Sequence, residues 1–256
     1  MNLACVVIPI YKDSISENEK KSLRQALTIL HKYDIYIVTH DCVKHDCYDE
    51  IDLCGILSYE YFDKRFFQGI KGYNELCMSL SFYKRFEKYQ YMLIYQLDAW
   101  VFDDQLSEWC SKGYDYIGAP WINNDKGVLS MTQVGNGGLS LRKMSYFIKV
   151  LSWKLPLMRI HPSGLLSWSL IMYYCGRKNT VRHYQENFPA NEDGFFSMAL
   201  MDSWFPPHKP NCEEAMKFAF EQYPSFLYRK NNGVLPFGCH AYLKYEYMEF
   251  WKQWIK

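Results

Sequence analysis

Gln96 and Asp98 interrupt an apolar run: they follow Tyr91-Met92-Leu93-Ile94-Tyr95, and apolar residues resume at Trp100. Spaced by one residue, the two polar side chains fall on the same side of an extended chain. A carboxylate at the carboxyl end of a buried strand stands where open α/β sheets bind ligands. The alternative is an Asp that caps the next turn. Farther on, Glu192 and Asp193 immediately precede an apolar helix expected over residues 195–201. Adjacent acids there are either caps favoured by the helix dipole or a catalytic base on a rigid element. Leu235-Pro236-Phe237-Gly238-Cys239-His240 reads as a tight turn that presents an imidazole.

Three further groups could carry chemistry. Gly135, Gly137 and Gly138 surround Asn136, a pattern that needs unusual φ or a close approach to something. Residues 66–74 hold Gly69 and Gly72 ahead of a helix expected over 75–88. Exposed amides before a helix suit an anion such as a diphosphate, with Lys71 assisting; a plain loop is the alternative. His40, Cys42, His45 and Cys47 cluster, but without the two tight pairs of a structural zinc site. A zinc or redox protein built on them is a rival reading, which elemental analysis tests.

The elements that must position these residues begin with a strand over residues 4–10, a helix over 16–32 and a strand over 34–39. In the helix Ser16 and Glu19 form a capping box, and Leu23, Ala26, Leu27 and Leu30 recur at helical spacing. This βαβ unit opens a doubly wound sheet. It lacks Gly-x-Gly-x-x-Gly, so the dinucleotide fingerprint is absent. A weaker strand and loop follow over 52–63, then the strand over 91–95, a short helix over 103–112 and a strand over 114–121. Residues 122–133 read as polar and mobile. A strand follows the glycines, then a helix over 143–152, an insertion or acceptor-side subdomain over 153–185, a helix over 213–221 and a helical tail over 241–256.

Composition bounds the rest. A chain of 256 residues makes one large or two small domains. With 29 Lys and Arg against 28 Asp and Glu, no global basic field exists to collect nucleic acid. The 18% aromatic content, including 22 Tyr, suits stacking on sugars as well as packing. Nine scattered cysteines argue against a disulfide framework and for a reducing, cytoplasmic setting. The apolar run at 3–10 reads as a core strand and not a signal peptide. The longest candidate span, residues 165–175, is too short to cross a membrane. Segments 142–159 and 242–256 mix Lys or Arg with aromatics, as packed helices do and as peripheral contacts on the inner face of the plasma membrane do.

Taken in order, Pro9, the glycine-bearing stretch with Asn74, Gln96-x-Asp98, Gly118-Ala119-Pro120-Trp121, Asn136-Gly137-Gly138, Glu192-Asp193 and Phe237-Gly238-x-His240 resemble the GT-A class of glycosyltransferases. More narrowly the chain looks like a bacterial family of small GT-A-like domains from polysaccharide-synthesis loci. The resemblance covers about residues 3–242. It implies an α/β fold: a Rossmann-type mixed sheet flanked by helices in a single domain with an acceptor-side insertion. A nucleotide half would span about 1–120 and an acceptor half 121–256.

The resemblance also implies an enzyme that moves a hexose from a nucleotide diphosphate-sugar, a UDP-sugar by preference, to a hydroxyl of a glycan or lipid-linked acceptor. Asp98 takes the place of the metal-binding Asp of Asp-x-Asp, and His240 that of a late histidine ligand, with manganese or magnesium as the ion. Asp193 takes the place of the base of inverting relatives, flanked by Glu192. Pro9, Tyr11, Thr39, Lys71, Asn74, Gln96 and Asp98 would face the donor. Trp121, Asn136, Gly137 and Gly138 would face the sugars. One departure stands out: Gln96 replaces the first acid of the motif, which weakens the expected metal site and leaves open a metal-free mechanism using Lys12 or Lys71. The runner-up is a non-catalytic nucleotide- or glycan-binding domain of the same fold.

Overall fold

The computed structural model describes residues 2–159 and 176–256. The candidate span at 165–175 therefore lies outside the described residues, as does the middle of the segment read as an insertion.

β1 (Asn2–Pro9), β2 (Asp34–Thr39), β3 (Leu57–Tyr61) and β4 (Tyr89–Tyr95) run parallel in the spatial order β3-β2-β1-β4. β9 (Leu139–Lys143) pairs antiparallel with β4, and β6 (Tyr116–Ile117) antiparallel with β9. The central strands are nearly continuous apolar runs because both faces are covered. Val6, Ile8, Ile35, Ile37 and Leu93 face one layer, together with Leu23 and Ala26 of helix α1 (Glu17–Ile29). Cys5, Val7, Val38, Met92 and Ile94 face the other, with Phe82, Phe86 and Phe147. The result is the expected mixed sheet flanked by helices.

A second, smaller sheet matters more to the site. β5 (Trp100–Val101) leaves the main sheet just after Asp98 and pairs antiparallel with β11 (Gly238–Cys239). β10 (Ala219–Phe220) lies parallel to β11 on its other side. Trp100, Phe220, Cys239, Phe250 and Trp251 form a third apolar cluster around it. α1 supports the same corner: Ser22 Oγ donates to Ala99 O at 2.7 Å and Gln25 Nε2 to Val101 O at 2.7 Å.

Three expectations need correction. Residues 66–74 are not an open loop: a short 3₁₀ turn, Lys64–Phe67, leads to the helix Gly69–Cys77, and a second helix, Leu80–Arg85, follows. Gly72 sits inside that first helix because a Cβ would lie 2.4 Å from Arg65 O. The polar stretch at 122–133 forms a hairpin, β7 (Pro120–Asp125) with β8 (Val128–Val134), whose paired Ile122 and Met131 pack on the third cluster while Val128, Ser130 and Thr132 stay exposed. The tail is not a continuous helix; only Trp251–Gln253 is helical, as a 3₁₀ turn, with Phe250, Trp251 and Ile255 anchored in the third cluster. Within residues 142–159, Met144–Leu151 forms the packed helix that one reading of that segment offered, with Tyr146, Phe147 and Val150 buried.

The capping box is present as read: Ser16 Oγ accepts from Glu19 N at 3.3 Å, and Glu19 Oε2 accepts from Ser16 N at 2.8 Å. Ser16→Ala should cost about 1 kcal/mol and lower the melting temperature by about 2–4 °C for a chain of this size. Scanning calorimetry checks this, and an unshifted melt would mean that the cap contributes nothing.

Candidate functional site

β1 and β4 are neighbours, but β1 continues to β2 on one side while β4 lies on the other. Their carboxyl ends therefore flank a topological switch point, where parallel strands leave a crevice. A cleft of about 620 Å³ opens there. Pro9, Tyr11 and Lys12 line it from the end of β1, Gln96 and Asp98 from the end of β4, and Asn136 to Gly138 from the loop before β9. Asn74, Glu192, Asp193, Glu221, His240 and Lys244 complete the wall used below.

Gln96 and Asp98 are not in an extended segment. Gln96 O accepts from Ala99 N at 2.8 Å, so the chain turns sharply beyond β4. The turn still brings both side chains to one partner: Asp98 Oδ1 lies 3.2 Å and Gln96 Oε1 3.3 Å from His240 Nε2. His240 arrives through β11, whose Cys239 pairs with Trp100. β10 adds Glu221, because His240 N donates to Phe220 O at 3.0 Å and Glu221 Oε1 then lies 3.0 Å from His240 Nδ1. Burial alone would push the imidazole down. The hydrogen bonds and charges of Asp98 and Glu221 outweigh it and bring His240 up to about 9. Asp98 is held below its usual range: burial raises it, and the His240 contact overcomes that.

The glycine-flanked Asn136 is the hub of the opposite wall. Its Oδ1 accepts from Gly138 N at 2.7 Å and Leu139 N at 2.8 Å, and its Nδ2 lies 3.2 Å from His240 Nδ1. Tyr116 OH accepts from Asn136 N and donates to Asn136 O, both at 2.9 Å. The glycines allow close approach: a Cβ on Gly138 would lie 2.0 Å from His240 Nε2, and one on Gly137 2.9 Å from Glu192 Oε1.

Glu192 and Asp193 open the helix Glu192–Ser197, and the structure separates them. Glu192 is fully buried, its Oε1 accepting from Arg142 Nη2 at 2.9 Å in an ion pair with no exposed surface on either side. Arg142 also donates to Tyr83 OH at 2.9 Å and Ser140 Oγ at 3.1 Å. Asn74 fixes this corner, accepting from Glu192 N at 3.1 Å and donating to Asn191 Oδ1 at 3.2 Å. Asp193 is half-buried at the cleft and accepts from Gly194 N at 2.8 Å. Its carboxyl is raised, first by burial and then by the charge of Glu221 against the pull of Gly194 N and Arg142.

Three of the expected site residues stand away from the cleft lining. Lys71 is exposed on the helix Gly69–Cys77. Thr39 is fully buried at the end of β2, its Oγ1 without a partner. Trp121 packs its ring against Gly135 and donates from Nε1 to Gly135 O at 2.6 Å, which braces the glycine loop from behind. The four-residue Cys/His set does not assemble: the ligand atoms of His40, Asp41 and Cys42 lie within 4.8 Å of one another, whereas His45 stacks on Tyr59 and Cys47 Sγ donates to Asp13 O.

Sequence reasoning missed Arg142, Glu221 and Lys244. Arg142 carried a signal, since a charge at a buried strand position demands a counter-charge. Glu221 and Lys244 carried none. Lys12 stands at the cleft, paired with Glu19 at 2.8 Å, so the capping box also holds a cation beside the site.

Compared with known sequences, residues 57–240 match the family described as Protein of unknown function (DUF5672), and the chain belongs to that family. The match ends on His240 and includes Gln96, Asp98, Asn136, Asp193 and Glu221. No curated protein matches the sequence. Among solved structures the chain is similar to an active-site mutant of LgtC, at 10% identity and a TM-score of 0.50, over 92% of this chain and 86% of that one. It is similar to mouse xyloside xylosyltransferase 1 in its apo form, at 10% identity and a TM-score of 0.52, over 94% and 97%. The glycosyltransferase GlyE of Streptococcus pneumoniae TIGR4 is similar at 12% identity and a TM-score of 0.50, over 94% of this chain and 55% of GlyE. These likenesses give the fold, which is that of GT-A glycosyltransferases. Among the described residues no helix is long and apolar enough to cross a membrane.

Burial pushes the Glu192 carboxyl up, Arg142 pulls it down and Asp193 adds to the rise, leaving it at about 7 against an ordinary 4.5. The folded chain thus holds this proton more tightly than the unfolded one. The associated stability is complete below pH 4.5 and is lost as pH rises to about 7. Denaturation from pH 4 to 8 should show the wild type losing roughly 3 kcal/mol relative to Glu192→Gln across that interval. Parallel profiles would mean that Glu192 is ionised throughout.

Proposed function

We propose that this chain is a glycosyltransferase that moves a hexose from a nucleotide diphosphate-sugar, a UDP-sugar by preference, to a hydroxyl of a glycan or lipid-linked acceptor, with inversion, in cell-surface polysaccharide synthesis. The observation that carries this reading is the convergence of Asp98, Gln96, His240, Asp193 and the Asn136–Gly138 loop on one cleft at the switch point of a GT-A sheet. The nucleotide would enter over Pro9 and Tyr11 on the side built from about residues 1–120. The acceptor would enter from the side built from 121–256.

The donor set fits a hard divalent cation. Asp98 Oδ1 and Gln96 Oε1 stand 3.2 and 3.3 Å from His240 Nε2, close to the roughly 3 Å between neighbouring ligands of an octahedral ion with bonds of about 2.1 Å. Asp98, His240 and Gln96 would hold manganese or magnesium, which when bound supplies positive charge against the departing diphosphate. Lys12 and Lys244 add cationic charge on the same cleft. Asp193 takes the proton of the acceptor hydroxyl; its raised carboxyl makes it a stronger base than an open-chain Asp. Glu192, turned toward Arg142, holds the helix that carries Asp193. A single displacement needs one base, and this arrangement supplies one.

A thermal-shift panel of UDP, GDP, CMP and dTDP species, with and without Mn2+, tests the reading. At about a hundred times its dissociation constant a ligand adds roughly 2.7 kcal/mol, a rise of several degrees. Asp193→Asn should keep the nucleotide shift and lose turnover. A fully active variant removes Asp193 as base, and a chain that no nucleotide shifts is a glycan-binding module instead.

Exposed Leu243, Met248 and Trp254 stand on a tail that also carries Lys244 and Lys252, a composition suited to a membrane that carries a lipid-linked acceptor. Flotation with anionic vesicles should carry the protein upward. Protein left at the bottom of the gradient rules this contact out.

A further inference from the structure

We infer that Glu221 is the positioning acid of the cation site: held against Nδ1 of His240, it supplies from behind the ligand the negative charge that Gln96 omits beside it. The inference rests on the metal-assisted reading above. Once an ion displaces the Nε2 proton of His240, Asp98, Gln96 and the neutral imidazole carry one negative charge together, which is little for a divalent ion. Glu221 stands one residue beyond β10, and the pairing of Phe220 with Cys239 delivers it to the imidazole. Its Oε1 lies 3.0 Å from Nδ1 with the side chain 17% exposed, so the contact is largely shielded from water.

Two groups compete for Nδ1: the Asn136 amide at 3.2 Å can only donate to it, and the Glu221 carboxylate at 3.0 Å, nearer and charged, can only accept from it. Asn136 has its Oδ1 committed to two backbone amides and presents Nδ2 toward the ring, so it offers no acceptor for a hydrogen on Nδ1. Glu221 is the acceptor on that edge. Gly138 packs against the opposite edge, where a Cβ would lie 2.0 Å from Nε2. With the Nδ1 hydrogen given to Glu221, an ion that displaces the Nε2 hydrogen would meet the ring's lone pair between Asp98 and Gln96. A carboxylate behind a ligating imidazole fixes its tautomer and raises its basicity. Its field acts on a dication with twice the strength it exerts on a proton.

The test is titration with Mn2+ alone, and again with UDP present, followed by electron paramagnetic resonance of the free ion. Glu221→Gln should weaken Mn2+ binding by about 10–100-fold, and Glu221→Asp, which keeps the charge, should fall between it and the wild type. Gln96→Asp should tighten binding, and in the Gln96→Asp/Glu221→Gln double variant it should restore most of the loss, which a merely structural role for Glu221 would not allow. Mn2+ binding that is unchanged or tighter in Glu221→Gln overturns the inference while leaving the cation site standing. A wild-type chain that binds no Mn2+ in either condition overturns the cation site and the inference together.

Discussion

The two-residue pairing of β5 with β11 is the contact on which the site depends. Asp98 and Gln96 sit at the end of an inner strand of the main sheet, and His240 follows them by 144 residues from Gln96. Nothing local joins them. Trp100 against Cys239 and Val101 against Gly238 set the register, and that register places the imidazole on the turn beyond β4. Gly238 belongs to the same constraint, since a Cβ there would lie 2.7 Å from Trp100 O. The third apolar cluster, with Trp251 and Phe250 behind the small sheet, excludes water from these few hydrogen bonds and so keeps them strong.

The second constraint is electrostatic. The cleft gathers Asp98, Asp193, Glu221 and Glu19 with Lys12, Lys244 and His240, so its charges are nearly balanced before any ligand enters. Behind it Arg142 and Glu192 form a buried pair whose solvation is replaced by Tyr83, Ser140 and each other. Such a pair is a weak source of stability but a strict one of geometry, because any other arrangement strands a charge in the core. Glu192 Oε2 remains without a hydrogen-bond partner, and burial raises the carboxyl although an arginine touches it.

Much of this architecture was legible in the sequence where periodicity is driven by burial. β2 runs from Asp34 to Thr39 as the apolar pattern required, and α1 begins at the Ser16–Glu19 box. The hairpin of β7 and β8 was not legible, because the few apolar residues it half buries, Ile122, Leu129 and Met131, are set among polar ones. The helix Gly69–Cys77 was hidden by its glycines, one of which serves helix packing and not a loop. At the site, the polar residues that break apolar runs were visible. Their partners were not: the link from Glu221 to His240 exists only in the register of two very short strands, and no local pattern encodes it.

The pairing of β5 with β11 also makes the intervening chain a closed loop. Everything from β6 to the residues before β11 leaves the clasp and returns to it, including the β7–β8 hairpin with its exposed turn. Closing a longer loop costs little more than closing a shorter one, since the entropic penalty grows only with the logarithm of length. Residues can therefore be gained or lost at the exposed turn around Lys126 and Gly127 while the clasp and its imidazole stay in place. The exposed turn of the hairpin can change in length beneath a clasp whose spacing such a change does not reach.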